Sequence, residues 1–410
     1  MLHGLIANGS DAKQLTRMRA AAGSYAITAL SLLARASATT VVAANVADLE
    51  AAVADASVSL IQLEVSGSPY LVSGTLVLSR TLTIEGACAE DACVVLDGQA
   101  AARVVRVTAD GDVVLRRLAI TNGRTSYPTY PDQGGGASVD GGSLLLEACA
   151  VTGNSGGGGL GNHNGALVLR RTVVAHNEGS LGGGVYSNIK SWTGSENRKL
   201  WLIESSVRNN VASFSTGGLY AEGGTVTRFR MEHSSVVDNE CTGTSSYARA
   251  GGIYLFNVDV SGIADLAPIE HCLIARNQIR GGPGGGLVVL GSGIRLYNTT
   301  IRDNHAATDP SKSARSYGGG LYMLGYYSYS VHQNGVQIES SLIEVRPRGC
   351  RDDDAIVDPP RMRLRPGCAP NAPGCAPDAP RMRRGPPTRL TGRGRCAIPS
   401  CASLSRATWR

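Results

Sequence analysis

Residues Gly217–Asn239 read GGLYAEGGTVTRFRMEHSSVVDN. A glycine pair opens the stretch, apolar residues alternate through its middle, and V-x-x-N closes it. The phrase returns as GGIY…CLIARN from Gly251 to Asn277 and as GGLVV…NTTIRDN from Gly285 to Asn304. Gly184, Gly218, Gly252, Gly286 and Gly320 each end a Gly-Gly and stand 34 residues apart. Two tighter glycine clusters, Gly134–Gly136 and Gly156–Gly159, precede them. The asparagines Asn122, Asn154, Asn177, Asn210, Asn239, Asn277 and Asn304 recur at spacings of 23 to 38. A fixed period of this size implies a stacked array of equivalent units.

Helical hairpins share this period, but glycine pairs break helices. The segments between them are rich in Val, Ile and Thr with period-2 alternation, the pattern of short strands. Three residues before the asparagines stand Val151, Val174, Val207, Val236, Ile274 and Ile301. Eight before them stand Leu146, Leu169, Leu202, Met231, Ile269 and Leu296. Five before them stand the small residues Cys149, Thr172, Ser205, Ser234, Cys272 and Thr299, with Arg117 the exception. Like residues at like levels imply coils stacked in register about 4.8 Å apart. The expected fold is therefore all-β: a parallel β-helix solenoid, right-handed by the rule for parallel crossovers. The apolar columns fill its interior. Asn154, Asn177, Asn210, Asn239, Asn277 and Asn304 are expected to ladder through their amides. The glycine pairs are expected at corners that need positive φ or close backbone approach. Cys149 and Cys272 share a column but lie four coils apart, about 19 Å, too far to bridge.

The organisation divides into three parts. Residues 1–38 form an extension in which Met18–Ala38 has the order of a signal peptide, with Arg19, a small apolar run and Ala36-Ser37-Ala38. Residues 39–345 form the solenoid, whose exposed N-terminal end calls for a cap. Val46, Leu49 and Val53 carry a helical pattern suited to it. Residues 346–410 switch to Arg, Pro, Gly, Ala and Cys with no periodicity, so disorder is expected. The abrupt break suggests an intron or shifted frame, which sequencing the transcript tests; the alternative is a genuine basic tail that binds anionic surfaces.

The net charge of +6 belongs to the tail. Residues 1–344 hold 25 basic and 28 acidic side chains, whereas the last 66 residues hold 14 arginines against five aspartates. The body therefore gives no reason to expect nucleic acid. No apolar run approaches a membrane span. Ten cysteines form no CxxC pair, which weakens a zinc or thioredoxin-like reading. Cys88 and Cys93, in CAEDAC, are either a local disulfide or two free thiols.

The GG-[LIV]-[YV] and [VI]-x-x-N tetrapeptides resemble the GGAI and FxxN repeats of polymorphic outer-membrane autotransporter proteins, with valine or isoleucine replacing their phenylalanine. More broadly, residues 58–345 resemble the right-handed parallel β-helix, or pectate-lyase-like, superfamily. The first resemblance implies adhesion at a cell surface. The second implies cleavage or epimerisation of polysaccharide. Signatures resembling N-T-D, G-H-G or W-x-D-H are absent.

Two groups of side chains carry possible chemistry. Glu232-His233 and Glu270-His271 fall in the same columns on adjacent coils, with Glu204 one coil below and Tyr297 and Asn298 one coil above. Such a group could do acid–base work or hold a divalent metal, or be a solvated polar ladder. Tyr186, Tyr220, Tyr254 and Tyr322 each lie two residues after a glycine pair, and an outward tyrosine row could stack on sugar rings or pack ring against ring along the sheet. Asp352–Asp354 lack further ligands, so no metal site and no cofactor is expected. Asn298-Thr299-Thr300 is a glycosylation sequon, relevant only in a secretory pathway. The expected role is a non-catalytic, secreted or surface solenoid that binds carbohydrate or another macromolecule, adhesin-like or structural. The alternative is a polysaccharide lyase, hydrolase or epimerase using the Glu/His group.

Overall fold

A computed structural model describes residues 39–87, 91–125, 133–189, 198–223, 228–244, 247–258, 266–307, 319–324 and 336–343. The proposed signal peptide, the tail from 346 and Cys88 lie outside these residues.

Each coil passes through up to four strand positions. In one coil these are Val185–Asn188, Lys199–Ile203, Ser206–Arg208 and Val211–Ala212. Strands at the same position in successive coils pair in parallel, building sheets of nine, eleven, ten and five strands. The chain is a parallel β-helix. Its register holds the two apolar columns level: Leu202 faces Met231 and Val207 faces Val236. Leu146, Leu169, Leu202, Met231, Ile269 and Leu296 are all fully buried, as are Val151, Val174, Val207, Val236, Ile274 and Ile301. At about 1.5–3 kcal/mol for each buried side chain, these columns dominate the stability of the stack.

Helix Val46–Ala54 closes the N-terminal end. The Asn45 side chain accepts from the Asp48 N–H at 3.0 Å, capping the first turn. Leu49 points into the core and is fully buried. At the other end of the helix the Arg80 guanidinium donates to the carbonyls of Ala52, Val53 and Asp55, satisfying groups that helices leave open. Strand Thr39–Ala43 precedes the helix and starts the eleven-stranded sheet by pairing with Val58–Leu63.

The asparagines form a buried ladder. The Nδ2 of Asn154, Asn177, Asn210, Asn239 and Asn277 each donates to the Oδ1 of the next, at 2.9–3.0 Å. Each Oδ1 also accepts the preceding asparagine's backbone N–H, for example Asn177 N to Asn210 Oδ1 at 3.1 Å. Asn122 stands apart. Ile120 pairs with Val151, so Gly123 occupies the ladder level and donates its N–H to Asn154 Oδ1 at 2.8 Å. A second ladder runs at the small column, with Thr172 N on Ser205 Oγ and Ser205 N on Ser234 Oγ at 3.0–3.1 Å.

The glycine pairs act through crowding, with no positive φ at Gly183–Gly184, Gly217–Gly218 or Gly251–Gly252. The left-handed corners carry other residues: Arg171, Glu204, His233, His271 and Asn298 all have φ between 46° and 54°. Cys149, Cys241 and Cys272 are free buried thiols, and Cys93 is disulfide-bonded. Among the described residues no helix is long and apolar enough to cross a membrane.

Candidate functional site: the corner, the aromatic face and the Trp201 groove

The Glu/His group sits at the corner between the eleven- and ten-stranded sheets. Glu204, His233, His271 and Asn298 follow one another up the corner, because each N–H bonds to the coil above: Glu204 to Glu232 O, His233 to Glu270 O and His271 to Tyr297 O. Their left-handed backbone turns these side chains outward, and Glu204, His233, His271 and Asn298 are all exposed. The imidazoles of His233 and His271 stack with centroids 4.7 Å apart and planes 3° from parallel. Tyr297 meets His271 edge-on at 5.4 Å, and Asn298 Nδ2 lies 2.8 Å from His271 Nδ1.

The carboxylates belong to a different arrangement. Glu232 and Glu270 lie on the last residues of their strands, level with Ile203 and Tyr297. Arg230, two residues earlier on the same face, holds Glu232 through Nε at 2.5 Å. Arg295, on the next coil, forms a close ion pair with Glu270. The structure thus brings the imidazoles together and ties each carboxylate to a guanidinium. Among the described residues no group of three or more His, Cys, Asp or Glu is placed to hold a metal ion. Beside the imidazoles lies a shallow groove of about 480 Å³, lined by His233, Ser235, His271, Asn298, Thr300 and Arg302.

The tyrosine row is on the outer face of the nine-stranded sheet, where Tyr186, Tyr220, Tyr254, Val288 and Tyr322 are level. Of the two arrangements expected from sequence, an open platform or ring-on-ring packing, the structure has the second. Tyr186 is 2% and Tyr254 3% exposed, and Tyr220 and Tyr322 are half-buried. Tyr186 and Tyr220 stack with centroids 5.0 Å apart, and Tyr254 tilts against Tyr220 at the same distance, so the rings already pack on one another. Two residues after Tyr186 and Tyr220 sit polar groups, Asn188 and Glu222, that sequence reasoning passed over. Asn188 Nδ2 donates to Tyr186 Oη at 2.9 Å and to Glu222 Oε2 at 3.1 Å. The Tyr220 hydroxyl donates to the same Glu222 oxygen at 2.9 Å. Burial, then the Glu222 charge, push the Tyr220 phenol well above its ordinary range. The 34-residue step from Asn188 to Glu222 was the available signal.

A third feature lies on the outer face of the eleven-stranded sheet. Leu145, Val168 and Trp201 are level there, with Ile203 beside them. With Arg170 and Lys199 they line a mostly apolar groove of about 500 Å³. Lys199 Nζ lies 4.4 Å above the Trp201 ring, and the Arg230 guanidinium lies 5.7 Å from it. Among the described residues Lys199 has no carboxylate partner. The alternation KLWLI was the sequence signal for an outward tryptophan. Comparison of the chain with family models, with curated proteins and with solved structures finds no match.

Proposed function

We propose that this protein is a non-catalytic, secreted or cell-surface β-helix that binds an anionic polysaccharide along its outer face. The carrying observation is the Trp201 groove. A half-buried indole flanked by Leu145 and Val168 offers an apolar plate for the C–H face of a sugar ring. Lys199 and Arg170 at its edges suit a carboxylate or sulfate on that ring. Along a regular solenoid, a chain-like ligand can follow the coil axis over several coils. The disulfide at Cys93 and the leader-like Met18–Ala38 support an oxidising, extracytoplasmic setting. The pairing of Glu232 and Glu270 with arginines favours binding over acid–base chemistry at the corner.

The test is co-sedimentation of the full chain with acidic and neutral polysaccharides, with reducing and unsaturated ends assayed in the same samples. The expected result is retention on the acidic polymer without product, and loss of retention in Trp201→Ala. Product formation, or binding indifferent to Trp201→Ala, overturns the reading.

A further inference from the structure

We propose that the corner groove beside His233 and His271 is an acid-dependent binding site for a tetrahedral oxyanion, of the kind carried by sulfated or phosphorylated saccharides. For the saccharide as carrier this rests on the proposed function; the anion site itself stands on the corner geometry and is separate from the Trp201 groove.

The groove wall supplies hydrogen-bond donors of the right types. Two imidazoles, the Thr300 hydroxyl and the Arg302 guanidinium line one shallow space. Asn298 Nδ2 faces His271 Nδ1, a contact that suits the tautomer in which Nδ1 accepts and Nε2 keeps the proton as a donor. When His271 takes up a second proton, the Asn298 amide can turn and accept instead, so the contact serves both charge states. Imidazole is the side chain whose charge ordinarily changes between pH 5 and 8.

The stack makes protonation and anion binding interdependent. Two parallel imidazoles 4.7 Å apart are compatible when neutral, but two imidazoliums at that separation repel. An oxyanion shared between them offsets that repulsion. Proton uptake and anion binding then favour each other, and by linkage the anion binds more tightly as pH falls.

The surrounding charges set the sign. Glu204, on the coil below His233, opposes an anion. Glu232 and Glu270, each one residue before a histidine, are held by Arg230 and Arg295. On the far side Arg302 pairs with Asp303 at 2.9 Å, and Arg276 pairs with Asp238 at 2.7 Å. With neutral imidazoles the corner carries no surplus positive charge, and two protonated imidazoles supply it.

A shared metal fits less well. Two nitrogens on one first-row ion at about 2.1 Å each lie at most about 4.2 Å apart. Equivalent atoms of two parallel rings in the same orientation lie 4.7 Å apart.

The experiment follows histidine Cε1–H signals of the full chain by NMR during titration with sodium sulfate, then with a sulfated oligosaccharide, at pH 5.5 and pH 7.5. The expected result is saturable shifts at pH 5.5 with affinity about tenfold or more weaker at pH 7.5, a loss of about 1.4 kcal/mol or more. Binding should vanish in the double variant His233→Asn/His271→Asn, whose asparagines suit the left-handed backbone, and strengthen in Glu204→Gln. A response to the oligosaccharide but not to sulfate would show that the sugar, not the oxyanion, is read, and would overturn the proposal. So would equal affinity at both pH values, binding that survives in the double variant, or a response to zinc chloride alone. Polysaccharide retention that needs Trp201 while the histidines stay silent would sink this site and leave the proposed function standing.

Discussion

Gly218 and Asn239 share one space. A Cβ on Gly218 would lie 3.0 Å from Asn239 Nδ2 and 2.5 Å from the Gly252 carbonyl oxygen. The same relationship joins Gly184 to Asn210 at 2.9 Å, Gly252 to Asn277 at 2.8 Å and Gly286 to Asn304 at 2.7 Å. The second glycine of each pair is thus the room in which a laddered amide sits. Gly218→Ala should cost about 1–3 kcal/mol through overpacking. Gly74, where a Cβ meets nothing within 4 Å, is the control: Gly74→Ala should be neutral or stabilise by up to about 1 kcal/mol. Urea midpoints of the two variants check the contrast.

The ladder predicts a larger loss at Asn210. Its Oδ1 accepts from the backbone N and the Nδ2 of Asn177, and its own Nδ2 donates to Asn239 Oδ1 and Val174 O. Asn210→Ala removes all of these inside a buried column, at about 1–3 kcal/mol for each buried group left unsatisfied. The loss should exceed that of Gly218→Ala. Asn210→Asp, isosteric but a buried anion, should be worse at pH 8 than at pH 4, where protonation restores a donor. Chemical denaturation at both pH values decides this.

Much of the fold was legible because a solenoid is nearly one-dimensional: what repeats in sequence stacks in space. Val207 over Val236 and Asn210 over Asn239 followed from counting alone. Of the two causes expected for the glycine pairs, positive φ or backbone crowding, counting could not choose; the neighbouring coil's backbone shows that it is crowding. Left-handed corners fall on Arg171 and Glu204 as well as on His233 and His271, and arginine and glutamate do not advertise positive φ. The site was harder still. Counting placed Tyr186 and Tyr254 on an outer face but could not show that this face is covered. Arg230 and Arg295 stand near enough in the repeat for their pairing with Glu232 and Glu270 to have been read from the columns.

The Tyr220–Glu222 contact predicts a silent phenol. Burial and the adjacent carboxylate raise the Tyr220 ionisation above that of an exposed tyrosine. Ultraviolet titration of the folded protein should lose no phenolate signal in Tyr220→Phe through pH 11, whereas the unfolded variant should show one phenolate fewer. The same substitution removes a charge-assisted hydrogen bond at 2.9 Å and should cost about 1.5–3 kcal/mol.

The buried thiols predict an alkaline limit. Burial pushes Cys149, Cys241 and Cys272 from an ordinary 9.0 up to about 12. A folded-state pKa raised above the unfolded value gives stability that is complete below about pH 9 and is lost as pH rises from 9 toward 12, since only the unfolded chain ionises there. Cys149→Ser, Cys241→Ser and Cys272→Ser together should flatten the fall in thermal midpoint between pH 9 and pH 11, at the cost of a lower midpoint at pH 7. Iodoacetamide at pH 8 should leave these three cysteines unmodified in the folded protein and modify them in urea, because the thiolate is the nucleophile and each sulfur is enclosed. Rapid native labelling of Cys149, which is 2% exposed, would show that its coil opens on the labelling timescale and would remove the basis for the alkaline prediction.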